Sequence, residues 1–163
     1  SLCNTIPGRM ETFSLYSGAT AIVDYAHTPD AYTKVLSTIK ELMIDSEANI
    51  YVVFGCGGNR DKSKRSIMGA IVEQFATHSF ITPDNPRNEK ISVINQEIIN
   101  GFKKNNFDVF LDREKGLKTA LNKAVKNDIV IALGKGREGY QDMNDKLIPY
   151  SDINIINEYS HEN

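Results

Sequence analysis

The sequence has little of several features that would point to particular classes of protein. Its 163 residues include no tryptophan and only two cysteines, and the net charge is −2. Nucleic-acid-binding surfaces usually carry a basic excess, so the charge argues against such a partner. No apolar run is long enough to span a membrane, and the first residues lack the pattern of a signal peptide. For Cys3 and Cys56 a disulfide is conceivable, but two free thiols in a reducing cytosol are the better interpretation.

The motifs of several kinds of catalytic site are also missing. The three histidines and two cysteines show no metal-ligand spacing, so we expect no metal site. The pattern G-x-x-x-x-G-K-[ST] does not occur, which argues against a phosphate-binding Walker loop. The chain begins with Ser1 rather than Met. We therefore expect residues 1–163 to be one domain taken from a longer protein.

Strand-like and helix-like patterns alternate along the chain, which predicts an α/β fold with a mostly parallel, doubly wound, Rossmann-like sheet flanked by helices. Hairpins are predicted at 13–25 and 140–150, further strands at 50–54, 79–82, 107–111 and 128–133, and a disordered tail at 160–163. Four helices are predicted to begin at the N-caps Thr28, Ser92, Asp112 and Ser151, and a fifth to run from about Lys64 to Ala76.

Three loops rich in glycine and charge each follow a predicted parallel strand. They span 55–64, 83–89 and 134–139. Ligands of open α/β sheets bind outside the carboxyl ends of the strands. The pattern therefore predicts that these three loops meet in one crevice.

The first loop contains three glycines followed by Arg60, Lys62, Lys64 and Arg65. Glycine allows a ligand to approach the backbone closely, and the basic residues next to a helix N-terminus favour anions. An ordinary glycine turn with a solvated charge run is an equally good interpretation. In the second loop, Asp84-Asn85-Pro86-Arg87, the arginine could grip a carboxylate with two parallel hydrogen bonds, although such a tetrapeptide is more often an ordinary turn.

The third loop, 134–139, matches G-x-G-x-x-G, the dinucleotide-binding fingerprint, but we reject that interpretation. Residues 140–150 do not read as the crossover helix that the fingerprint requires, and the motif alone is weak. Glu138 is of interest because a carboxylate in a crevice can bind an amine. At the end of an earlier strand, Asp24 could accept from a ribose hydroxyl while Tyr25 and His27 lie against a base, although a plain helix entry is the more common role.

Taken together, the motifs resemble one family, the C-terminal domain of Mur ligases of the MurE type. The segments that carry the resemblance are 7–11, 24–30, 55–65, 68–69, 84–87, 134–138 and 150–152, which occur in the order and approximate spacing of that family. The resemblance covers nearly the whole chain. Each motif is weak alone, and their combination is specific.

The resemblance implies a three-domain, cytoplasmic bacterial enzyme of which this chain is the third domain. The other two domains would bind the UDP-sugar and, with Mg²⁺, the ATP phosphates. ATP would phosphorylate the carboxylate of UDP-N-acetylmuramoyl-L-alanyl-D-glutamate, and the amine of an amino acid would attack the acyl phosphate. The third domain would supply orientation and charge rather than the nucleophile, so we expect the chain alone to be inactive.

The resemblance also assigns residues to two sites. Arg9, Asp24, Tyr25 and His27 match the ATP-binding positions, and Arg60, Asp84, Asn85, Arg87, Gly134 and Glu138 match the amino-acid site. The Asp-Asn-Pro-Arg motif resembles the version that selects meso-diaminopimelate. That amino acid has a second carboxylate where lysine has none, and Arg87 would pair with it and repel the ammonium of lysine.

One residue departs from the family pattern. Arg137 stands where the family usually has histidine in Gly-Lys-Gly-His-Glu. Three alternatives stay open: an L-lysine-adding enzyme of the same type, another ligase of the superfamily such as a cyanophycin- or folate-type ligase, and a non-catalytic module that binds a nucleotide or an amino acid. The Asp-Asn-Pro-Arg turn argues against the cyanophycin- and folate-type ligases.

Overall fold

A computed structural model describes residues 8–161, which alternate between strands and helices over most of their length. The strands are β1 (Glu11–Ser14), β2 (Thr20–Asp24), β3 (Ile50–Phe54), β4 (His78–Ile81), β5 (Phe107–Val109), β6 (Ile129–Leu133), β7 (Tyr140–Met143) and β8 (Lys146–Pro149). The helices are α1 (Pro29–Leu42), α2 (Ser63–Phe75), α3 (Ile91–Ile99), α4 (Arg113–Lys123) and α5 (Asp152–Asn157).

The main sheet has six strands in the order β1-β2-β6-β3-β4-β5. Strand β1 pairs antiparallel with β2, and every other pairing in this sheet is parallel. The chain moves in one direction from β2 through β3 and β4 to β5, then returns to insert β6 between β2 and β3. Since crossovers between parallel strands are right-handed, this reversal must change the face on which the connecting helix lies.

The two hydrophobic cores show this arrangement. One face of the sheet packs against α1, α2 and α3 through Leu36, Val72 and Ile98. The other face packs against α4 and α5 through Leu121 and Ile156. The central strands β2, β3 and β6 are largely apolar, as expected for a sheet covered on both faces. The predicted doubly wound α/β fold is therefore confirmed.

Three of the four predicted N-caps are confirmed. The side chains of Thr28, Asp112 and Ser151 each accept a hydrogen bond from a backbone N–H in the first turn of the helix that follows. Ser92 as an N-cap is wrong, because α3 begins at Ile91 and its cap is Lys90, which makes no side-chain cap hydrogen bond. The carbonyl oxygen of Lys90 accepts hydrogen bonds from the N–H groups of Val93 and Ile94. The helix therefore begins before Ser92.

The predicted disorder of the C-terminal tail is wrong for its first two residues. Ser160 forms a β-bridge with Leu15, and the backbone N–H of His161 donates to the carbonyl of Ser14 at 3.1 Å. The ring of His161 also contacts that of Tyr16. The remainder of the predicted tail, 162–163, lies outside the described residues, as do Cys3 and the first residue of the segment 7–11.

The hairpin predicted after the third loop is confirmed as β7 and β8, which pair antiparallel. A hairpin, not a helix, follows the G-x-G-x-x-G match, so the structure supports the rejection of a dinucleotide fold at this loop. Between residues 8 and 161, no helix combines the length and apolar character needed to cross a lipid bilayer.

Candidate functional site

The three glycine-rich and charged loops meet in one cavity at the carboxyl ends of β3, β4 and β6. Its volume is about 570 Å³. The six residues predicted for an amino-acid site all line it: Arg60, Asp84, Asn85, Arg87, Gly134 and Glu138. The predicted convergence of the loops is therefore confirmed, and the topology explains it, because parallel strands end at the same edge of the sheet.

The glycines of the first loop are needed chiefly by the neighbouring loop. A Cβ atom on Gly55 would lie 1.9 Å from the carbonyl oxygen of Thr82, and one on Gly58 would lie 1.8 Å from that of Pro86. The N–H of Gly58 donates to the carbonyl of Asn85 at 2.8 Å. Of the two interpretations left open for these glycines, close approach of a ligand or an ordinary turn, neither describes Gly55 and Gly58 fully, because both make room for the backbone of the second loop.

Arg87 contributes positive charge to the lining of the cavity and also joins the first two loops. Its Nη1 donates to the carbonyl oxygens of Gly58 at 2.9 Å and Asn85 at 3.3 Å. Its Nε lies 3.7 Å from a carboxylate oxygen of Asp142. Within residues 8–161 its Nη2 donates no hydrogen bond, which leaves one edge of the guanidinium for a ligand. Arg60 and Lys64 add exposed positive charge to the same cavity.

The acidic part of the cavity lining is organised by Lys135, which was not among the residues predicted for the site. The Nζ of Lys135 donates to Asn85 Oδ1 and Glu138 Oε1, both at 3.0 Å. It also lies 3.2 Å from Asp84 Oδ1. The amide nitrogen of Asn85 in turn donates to Glu138 Oε1 at 2.7 Å. In the sequence, only the two glycines that flank Lys135 indicated a special position.

Arg65 does not contribute free positive charge, contrary to expectation. It is buried and donates to Glu89, Glu97 and the carbonyl of Gly57. Burial acts to lower the pKa of Arg65, but the two carboxylates outweigh it and raise that pKa. The hydrogen bonds from Arg65 lower the pKa of Glu89 to about 2. This cluster joins the first two loops to each other and to α3.

A second cavity, of about 420 Å³, adjoins the first at Tyr25 and His27. It contains the other predicted set, since Arg9 and Asp24 line it together with those two rings. The rings meet edge to face, with centroids 5.1 Å apart. Asp24 already accepts hydrogen bonds from the N–H groups of Met10 and Ala26, so its carboxylate also fixes the loop that carries Arg9.

Arg137, the residue that departs from the family pattern, forms an ion pair with Glu11 of β1. Its Nε and Nη2 donate to the two carboxylate oxygens at 3.1 and 2.6 Å. Burial acts to raise the pKa of Glu11, but hydrogen bonds from Arg137 and from the N–H of Gly8 lower it overall. In this structure the guanidinium therefore pairs with Glu11 rather than pointing into the amino-acid cavity.

Comparisons with known proteins agree with this geometry. The sequence pattern of a family described as Mur ligase, glutamate ligase domain, matches residues 8–136. The chain belongs to this family. Two proteins that are similar to this chain are both named UDP-N-acetylmuramoyl-L-alanyl-D-glutamate--2,6-diaminopimelate ligase. The one from Rickettsia montanensis is 42% identical over 93% of this chain and 31% of its own length. The one from Clostridioides difficile is 43% identical over 96% of this chain and 32% of its own length.

A solved structure of a ligase with the same name also matches this Mur ligase domain. It superposes with a TM-score of 0.85 and is 33% identical over 94% of the chain and 31% of the solved chain. The chain thus spans about a third of the length of the relatives it matches.

A buried ion pair holds the strand ends of this Mur ligase domain and was also missed from the sequence. Arg113 and Asp152 are both fully buried, with Nη2 and Oδ2 2.8 Å apart. Arg113 further donates to Thr82 Oγ1 and to the carbonyl of Leu133, which directly precede the second and third loops. Burial acts to raise the pKa of Asp152, but Arg113 and the hydroxyl of Tyr150 lower it overall. The pair fixes the positions from which two loops leave the sheet.

The domain shows no metal centre in its described part: no group of three or more His, Cys, Asp or Glu side chains is placed to hold an ion. Cys56 is a buried free thiol beside the cavity. Burial raises its pKa to about 12, so it stays protonated at neutral pH and is a poor nucleophile.

Proposed function

We propose that this chain is the amino-acid-binding domain of an ATP-dependent ligase that joins meso-diaminopimelate to UDP-N-acetylmuramoyl-L-alanyl-D-glutamate. The observation that carries the proposal is a cavity whose lining contains both charges, the cations Arg60, Lys64 and Arg87 and the carboxylates Asp84 and Glu138. Two similar proteins are named as ligases of 2,6-diaminopimelate. Their whole-protein activity is extended to this chain as part of the proposal.

The chemistry of the walls fits one end of a diamino dicarboxylic acid. That end carries an ammonium and a carboxylate on the same carbon. The ammonium matches Glu138 and Asp84, and the carboxylate matches the Nη2 edge of Arg87. Lysine would place only an ammonium at this end of the cavity, next to the guanidinium of Arg87. It would offer no carboxylate to receive the hydrogen bonds of that guanidinium. The cavity would therefore favour diaminopimelate.

The second cavity fits the base and ribose of ATP. Tyr25 and His27 offer aromatic surface, Ala31 and Val35 add apolar surface, and Arg9 supplies a positive charge. ATP would supply the phosphoryl group that activates the acceptor carboxylate. Mg²⁺ and the phosphate loop would come from another domain of the ligase. The role of this domain would be to bind and orient the amine, in the bacterial cytoplasm.

The test is ligation by the full-length gene product that contains this chain. ATP, Mg²⁺, UDP-N-acetylmuramoyl-L-alanyl-D-glutamate and either meso-diaminopimelate or L-lysine are supplied, and products are followed by mass spectrometry and phosphate release. We expect the diaminopimelate adduct to dominate, and no turnover by the isolated chain. Preference for lysine would contradict the substrate, and ligation by the isolated chain would contradict its role as one domain of three.

A further inference from the structure

Lys135 is a fully buried cation that contacts three residues of the amino-acid cavity, Asp84, Asn85 and Glu138. Its exposed fraction is 0%, although it lies in a loop between two glycines. Four oxygen atoms surround its Nζ: those of Asn85 and Glu138, the carbonyl of Tyr140 at 2.9 Å, and Asp84 Oδ1 at 3.2 Å. Three hydrogen bonds use all the donors of an ammonium group, so Lys135 has none to offer a ligand.

The contacts of Lys135 also fix which way the amide of Asn85 points. Asn85 Oδ1 accepts from Lys135 and from the backbone N–H of Asp142 at 2.9 Å. Its Nδ2 is thereby directed at Glu138. The position of the Glu138 carboxylate is set from two sides, by an amide and by an ammonium, before any ligand arrives.

Two carboxylates contact the single ammonium group of Lys135. Asp84 and Glu138 carry two negative charges when ionised, and Lys135 balances one of them. One ligand ammonium would balance the other. Without Lys135, Asp84 and Glu138 would lose the cation they share, and Asn85 Oδ1 would lose one of its two donors.

We infer that Lys135 is a positioning residue, which holds Asn85 and Glu138 in the geometry that receives the ammonium group of the amino-acid substrate. This inference rests on the proposed function. Lys135 acts through Asn85 and Glu138 rather than by touching the substrate. The effect of its loss should therefore fall on the amino acid and spare the other two substrates.

The test compares Lys135→Met and Lys135→Gln with wild type in the full-length ligase. We expect Lys135→Met to raise the KM for diaminopimelate about 10- to 100-fold, the effect of one lost hydrogen bond to a charged group. The kcat at saturating diaminopimelate and the KM values for ATP and the UDP-sugar should stay near wild type. Lys135→Gln should lie between the two, because its amide can donate hydrogen bonds but carries no charge.

The matched control is Lys123→Met, which removes an exposed lysine from α4. It should leave all constants unchanged. An unchanged KM for diaminopimelate in Lys135→Met, or an equal rise for all three substrates, would overturn the inference. Failure of wild type to ligate diaminopimelate would instead overturn the proposed function. If neither variant folds, the test is made on the wild-type ligase by NMR. The Nζ resonance of Lys135 should shift when diaminopimelate is added, and no shift would overturn the inference.

Discussion

The buried pair of Arg113 and Asp152 gives the most demanding stability prediction. Replacing Asp152 by Asn keeps the shape of the side chain and removes its charge. Arg113 then remains fully buried without an ionised partner. The carboxylate of Asp152 also accepts a hydrogen bond from the hydroxyl of Tyr150 at 2.6 Å. The substitution therefore weakens this contact as well.

The expected magnitude follows from the burial of both partners. Breaking a buried pair by removing one partner typically costs about 3–5 kcal/mol, because a charge is left without compensation. In the variant Arg113 cannot escape by losing its proton, because a guanidinium stays ionised in proteins even without an acidic partner. Domains are stable by about 5–15 kcal/mol in total. Asp152→Asn should therefore lose a large share of the stability of the domain.

The assay is urea unfolding of the chain at neutral pH, with the slope of the transition checked against wild type. The matched control is Glu114→Gln, which breaks an exposed pair with Lys118 at 2.8 Å and should cost about 0.5 kcal/mol or less. A loss below about 1 kcal/mol for Asp152→Asn would show that the pair behaves like a surface ion pair and would refute the reasoning.

Two further predictions concern the loops around the cavity. The pKa of Glu89 is about 2 in the folded chain, against an ordinary value of 4.5, so its contribution of up to about 3 kcal/mol is present above pH 4.5 and is lost as the pH falls towards 2. Urea unfolding of wild type and Glu89→Gln at pH 7 and about pH 3 should show a smaller difference at the lower pH, and a constant difference would contradict this. Gly58→Ala should be strongly destabilising, because its Cβ would meet a carbonyl oxygen at 1.8 Å, whereas Gly139→Ala, which has open space, should change the melting temperature little. Equal melting temperatures for the two variants would contradict the packing argument.

The sequence predicted those features that depend on local chemistry and strand topology. Thr28 and Asp112 could be assigned as caps because an N-cap needs only its own side chain and the next turn. The convergence of the three loops could be predicted because it follows from parallel strands ending at one edge. Ser92 was assigned wrongly because a capping residue and a first-turn serine look alike in sequence.

The long-range polar contacts could not be predicted. Arg65 and Lys64 are adjacent basic residues in one charge run, yet Arg65 is buried against carboxylates far along the chain and Lys64 is exposed. Apart from its two flanking glycines, Lys135 resembled a solvated loop lysine, because its partners Asp84 and Asn85 lie in another loop. Nothing local in the sequence shows which basic side chain finds an acidic partner.

The central claim is that the amino-acid cavity selects an amino acid with a second carboxylate, and that Arg87 makes the selection. The most direct measurement is the ratio of kcat/KM for meso-diaminopimelate to that for L-lysine, in the full-length ligase and its Arg87→Ala variant. Arg87 also braces Gly58 and Asn85, but loss of the brace should harm both amino acids alike and cancel in the ratio. We predict that the ratio falls about 10- to 100-fold, as expected for one charge-assisted pair. A ratio that does not move would contradict the claim.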